Sequence, residues 1–282
     1  MVEKVAGKKS VMSGNDMDDF EERKREVGML NLIDDVFFEQ VMKDKQASGV
    51  VVSTILGKHV TVIDSRTQYE IRNVLGRSVR LDLIVQDDKG KFYNIEMQNG
   101  EFSDDLEKRM EVNIALMIAG FLRKGKKCRE LPETYCIFIT NFDNFKTGKV
   151  LNEPQTFING DKNRPYGMGG IHRMYVNTEV DDGSVLSELM KYFKKTTVGN
   201  KQFGYLSKYV DMCKTSKKGV KRMSEGLKQL MKEKIDQSKI ETKLDIVEEM
   251  LADNMSLEKA LKFVKWDLDT YKAYKEEYGN ED

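Results

Sequence analysis

The chain has 282 residues, 39% hydrophobic and 33% charged, enough for one large domain, or a domain and a small appendage, around a packed core. Lys plus Arg and Asp plus Glu each number 47, so no net positive charge draws nucleic acid to the chain, and any such attraction must come from local clusters. Three cysteines without a CxxC pair argue against a disulfide framework, two histidines argue against a nitrogen–sulfur zinc site, and the longest apolar stretch, 114–122, falls short of the ~20 residues of a membrane span.

With no signal-peptide core in the opening MVEKVAGKKS, the expected setting is a reducing cytoplasm, without membrane contact, and any bound metal should take oxygen ligands. Residues 1–28 are polar with no sustained apolar period and read as a flexible tail. From 30 to 56 apolar residues recur at helical spacing, which predicts two helices broken around Ser48-Gly49. Residues 60–63 and 69–74 read as short extended segments, and 80–86 and 92–98 as longer ones. Leu106, Met110, Ile114, Met117 and Phe121 then form one face of a long helix capped by Ser103 or Asp104. A buried strand is predicted at 134–142, loops and a hairpin with a further strand at 171–176 follow, and 184–195 returns to helical spacing. Strand, strand, helix, strand indicates a mixed sheet with a crossover helix, an α/β or α+β core. Beyond 203 the pattern is helical and lysine-rich and ends in three short helices, with Ser256 and Asp267 as caps. The expected division is a tail at 1–28, a core domain at 29–197 and a basic helical region at 198–282.

The stretch RLDLIVQDDKGKFYNIEMQNG, 80–100, sets Asp82 and Glu96 in a strongly apolar, β-prone hairpin. A three-residue turn at Asp88-Lys89-Gly90 pairs Asp87 with Lys91, which puts Asp82 opposite Glu96. The two-residue period then gives one face to Asp82, Glu96 and Gln98, and the other to Leu81, Leu83, Val85, Tyr93, Ile95 and Met97. Two facing carboxylates repel, so a cation should sit between them. It is either a basic side chain, Arg80 or Arg109, or a hard divalent ion such as Mg2+.

The run Arg-Ser-Val-Arg-Leu-Asp82, then Asn-Ile-Glu96-Met-Gln98, then Arg109 on the next helix, resembles the recombination-promoting nuclease and putative transposase family of the PD-(D/E)XK nuclease superfamily. Asp34-Asp35-Val-Phe-Phe38 and Leu56-Gly57-Lys58 resemble the start of that family's domain, so the likeness covers roughly 30–195. It implies a mixed sheet flanked by helices, and a DNA endonuclease in which Asp82, Glu96 and the Met97 backbone carbonyl bind Mg2+ or Mn2+. Glu70 resembles the superfamily's extra upstream acid. Gln98 stands where the superfamily usually has lysine; a neutral amide orients a water or phosphate oxygen but supplies no charge, which leaves Arg109 or Lys108 to provide it.

Two basic clusters are candidate DNA contacts, 123–129 with five positive residues in seven and 214–234 with Lys214, Lys217, Lys218, Lys221, Arg222, Lys228, Lys232 and Lys234. The last helices are expected to form a cap or a homodimer contact rather than a DNA-reading motif. The leading expectation is thus a Mg2+-dependent endonuclease of recombination or mobile elements, and the other a catalytically inactive nuclease-fold module that binds DNA or protein.

Overall fold

In the computed structural model the described residues are 14–71, 78–98, 105–122, 124–166 and 170–278. They divide into two compact units, one up to Ser224 and one from Glu225. Helix α1 (Gly14–Met29) lies in the stretch expected as a tail, and Val27 near its end is fully buried. Helices α2 (Asp35–Met42) and α3 (Lys45–Leu56) break at Lys43 and Asp44 rather than at Ser48-Gly49. The reason is a cap: Asp44 Oδ1 accepts the amides of Gln46 at 3.0 Å and Ala47 at 2.9 Å, which starts α3 ahead of the glycine. A Cβ on Gly49 would meet Val60 and Val62 at 3.6 Å, so a small residue there lets the helix lie close to the next strand.

That strand, β1 (Val62–Ile71), is continuous where the sequence suggests two segments; residues 72–74 of the second lie outside the described residues. Strands β2 (Val79–Asp87) and β3 (Phe92–Gln98) form the expected hairpin. The Asp87 amide donates to the Lys91 carbonyl at 3.1 Å, Gly90 takes φ +77°, and the pairs Val85–Tyr93 and Leu83–Ile95 keep the counted register. Helix α4 (Leu106–Phe121) buries Leu106, Met110, Ile114 and Met117, while its expected caps Ser103 and Asp104 lie outside the described residues. It is followed by β4 (Thr134–Thr140), β5 (Leu151–Asn152), β6 (Thr156–Phe157), β7 (Pro165–Tyr166), β8 (Ile171–Asn177), α5 (Val185–Phe193), α6 (Tyr205–Thr215) and α7 (Lys217–Ala252).

Six strands pair in the order β1-β2-β3-β4-β8-β5, with β4 parallel to both neighbours and the other pairs antiparallel. A parallel β3–β4 pair needs a crossover, which α4 provides. Sheets with parallel strands are usually covered on both faces, as this one is. Phe37, Val51, Leu189 and Leu206 from α2, α3, α5 and α6 pack on Val85, Ile95 and Ile137 on one face. Met110 and Ile114 of α4 pack on Leu81, Ile84 and Phe138 on the other. The hairpin face that alternation assigns to the acids is therefore a second core, and Leu81 belongs to it.

The misplacement of Leu81 has a local cause. Odd-numbered residues of β2 face the first core at Leu83 and Val85 but the second at Leu81. In β1, Ser65 donates to the Met42 carbonyl of α2 at 2.6 Å, on the first side, whereas Ile71 sits in the second core. Both strands thus exchange faces between the pairs Thr67–Leu83 and Tyr69–Leu81. The residues at the exchange are Asp82 and Gln68, and Gln68 has φ +50°, rare for a side chain bearing a Cβ.

Compactness divides the chain at Ser224 and not near 198, because α6 gives Leu206, Val210 and Cys213 to the first core. Lys214, counted in a DNA-facing cluster, is buried: its ammonium donates to the carbonyls of Gly28 at 3.3 Å, Thr196 at 2.7 Å and Leu30, over the Phe37 ring. Cys136 and Cys213 are buried and Cys128 is exposed in a turn before β4.

The second unit comprises the rest of α7 with α8 (Leu257–Val264) and α9 (Leu268–Tyr278), around Leu244, Val247, Leu261, Val264 and Tyr271. The first of the three expected short helices is the end of α7. Asp267 Oδ1 accepts the Thr270 amide at 2.7 Å, whereas Ser256 makes no side-chain capping bond. Among the described residues no helix is long and apolar enough to cross a membrane.

Candidate active site

β-Hairpin pairing ends at Leu83–Ile95, one step before Asp82 would face Glu96. The two carboxylates take over where the ladder stops. The Asp82 amide donates to Glu96 Oε1 at 3.3 Å, and the Met97 amide donates to Asp82 Oδ2 at 2.9 Å. Each acid thereby bonds the backbone of the opposite strand. The face exchange at Asp82 is what brings this about, since regular alternation would aim its side chain away from β3's backbone.

Burial makes these acids unusual. Glu96 is only 5% exposed, and Asp82 is half-buried. Loss of water is the largest influence on Asp82 and raises its pKa to about 6; the Met97 amide pulls it down, Asp35 pushes it up, and Glu96 and Arg109 pull it down less. Glu96 is pushed well above the usual carboxylate range, first by burial and then by the charge of Asp82, against the hydrogen bond from Asn94, the Asp82 amide and Arg109. Arg109 is exposed in the first turns of α4 and acts on both acids as the weakest of these influences. Gln98 ends β3, is nearly buried, and pairs across the sheet with Thr140.

A cavity of about 10 Å³, the size of one water, lies against Asp82 and is lined also by Asp35, Phe38, Glu39, Gln68 and Met97. The structure therefore brings together Asp82, Glu96 and Met97, with Arg109 near enough to act electrostatically. Glu70 is different: it is exposed on β1 opposite Arg80, and neither lines this cavity nor ranks among the leading influences on the two acids. The acid that does act on Asp82 is Asp35, one turn before Glu39 on α2, and that spacing was readable. Gln68 gave no signal in the sequence.

The donor chemistry fits a hard divalent cation: two repelling carboxylates, partly desolvated, beside a water-sized space. Among the described residues no three His, Cys, Asp or Glu side chains are grouped to hold a metal ion. Two carboxylates plus backbone and water oxygens remain, which is how Mg2+ is commonly held.

No curated protein and no solved structure is matched significantly by the chain. Residues 53–165, which hold β1 to β4 and α4, match the family model described as PD-(D/E)XK nuclease family transposase.

Proposed function

We propose that the chain is a divalent-cation-dependent endonuclease that hydrolyses DNA phosphodiester bonds in recombination or in the movement of mobile elements. The observation that carries this reading is the reciprocal pair, Asp82 and Glu96, each bonded to the other strand's backbone at the end of the hairpin. In these roles Asp82 and Glu96 hold Mg2+ or Mn2+. The Met97 carbonyl joins them, since in an extended strand a residue's N–H and C=O leave on the same edge and the Met97 N–H is directed to Asp82. A bound cation lowers the pKa of its water and neutralises charge that develops on the phosphate. Gln98 orients a water or phosphate oxygen as a neutral donor, and Arg109, exposed beside the acids, attracts the scissile phosphate. Glu70 would lie along the strand leading to the site. DNA is met by the exposed lysines, Lys124, Lys126 and Lys127 among them.

A second reading, a nuclease-fold module that binds without cutting, is favoured by Gln98 in place of lysine. Supercoiled plasmid incubated with Mg2+, with EDTA, and with Glu96→Gln or Asp82→Asn separates the two. The expected result is nicking by the wild-type chain with Mg2+ alone, and a fall of at least about a hundredfold in either variant, the scale on which lost charge stabilisation acts. Plasmid intact under all divalent ions would establish the binding module, and variants that cut at the wild-type rate would remove both acids from the site.

A further inference from the structure

Gln68 occupies the point at which β1 and β2 exchange faces, with a left-handed backbone at φ +50°. That conformation is costly for a residue with a Cβ and persists only where the surroundings hold it. Nothing about the hairpin itself demands glutamine there; glycine would adopt the same φ without strain. What glutamine adds is a side chain. It is exposed to solvent, yet it lines the small cavity together with Asp82, Asp35, Glu39, Phe38 and Met97. Of the polar side chains around that space, three are acids and Gln68 is the single amide, a neutral oxygen acceptor with two N–H donors.

We propose that Gln68 supplies the neutral side-chain oxygen that completes the donor set of the divalent cation held at Asp82 and Glu96. This rests on the reading of that pair as a cation site. Asp82, Asp35 and Glu39 already bring three acids around that space, so a further one would add repulsion, whereas an amide oxygen adds a hard donor without charge. The strain at Gln68 is thereby accounted for: a left-handed residue departs from regular alternation, and Gln68 stands beside Asp82 on the cavity wall.

The test uses Gln68→Gly and Gln68→Asn in the full chain, with thermal unfolding followed in EDTA and across a Mn2+ titration, and plasmid nicking alongside. Gln68→Gly should melt about 2 °C higher than wild type in EDTA, because strain is relieved. It should also need about tenfold more Mn2+ for the same stabilisation, the usual scale for losing a group that supports a metal. Nicking at low Mn2+ should fall in proportion and recover at high Mn2+. Gln68→Asn, which keeps an amide and tolerates the left-handed region, should lie between the two. If Gln68→Gly melts higher but titrates and cuts like wild type, Gln68 is a strained link and this inference falls while the cation site stands. If wild-type melting ignores Mn2+ and no cutting occurs, the cation site falls and the role of Gln68 falls with it.

Discussion

Among the described residues Asp82 and Glu96 lose water without gaining a cationic partner in direct contact, and each accepts from one opposite-strand backbone donor. Glu133, just before β4, is a carboxylate with the opposite balance. Burial raises its pKa, but hydrogen bonds from Lys91 and Tyr135, the charge of Lys91 and the His172 ring outweigh this and hold it near about 2. Because the folded value lies below the ordinary 4.5, the group stabilises the fold above pH 4.5 and loses that contribution as pH falls through the folded value. Its side chain is 32% exposed, so solvent screening reduces the effect. Glu133→Gln should cost about 1 kcal/mol at pH 7, and the gap to wild type should close between about pH 4.5 and 2 in urea unfolding. A gap that persists at pH 2 would assign the loss to packing. At this scale the closeness of Asp82 to Glu96 was legible, because the turn at Gly90 sets the register, although the two-residue period breaks at Asp82 itself. The sign of φ at Gln68 was not, since no local pattern encodes it.

Among the elements, α6 and α7 depend on one small residue. A Cβ on Gly219 would stand 2.2 Å from the Met212 carbonyl oxygen and 2.7 Å from Cys213 Cα, both backbone atoms that cannot move aside cheaply. Gly219→Ala should therefore destabilise the first unit by about 3 kcal/mol, an overpacking cost read as a lowered urea midpoint. An unchanged midpoint would mean that the two helices separate freely there. The helices themselves were readable from apolar spacing, as the 106–121 face and the Ser184 cap on α5 illustrate. The role of α6 was hidden by its lysines. Lys214 counts as a surface charge in any composition window, yet it is 2% exposed and joins the carbonyls of Gly28, Leu30 and Thr196. Long-range carbonyl partners have no trace in local sequence, which is why the first unit extends further than its composition suggests.

For the whole molecule, the division at Ser224 gives each unit its own apolar core, the first around the sheet and the second around Val247 and Leu261. Removing residues 236–282 should leave the main unfolding transition within about 2 °C of the full chain and leave the proposed Mg2+-dependent nicking in place, measured by calorimetry and plasmid assay. Collapse of that transition would show that the first unit does not fold without the second. The mixed sheet and its crossover helix were legible from element order alone. The full strand order, with β8 between β4 and β5, was not, because two-residue strands such as β5 carry too little pattern to place.

The burial of two cysteines and the exposure of the third make the protein a ready-made optical probe. A maleimide dye should attach at Cys128 alone, leaving Cys136 and Cys213 untouched in their cores. Its position beside Lys126, Lys127 and Arg129 puts the dye where a phosphate backbone would arrive. Emission followed during DNA titration in EDTA then reports association with no cutting, so that the proposed DNA capture and the proposed hydrolysis are tested as two separate events on one unmutated chain.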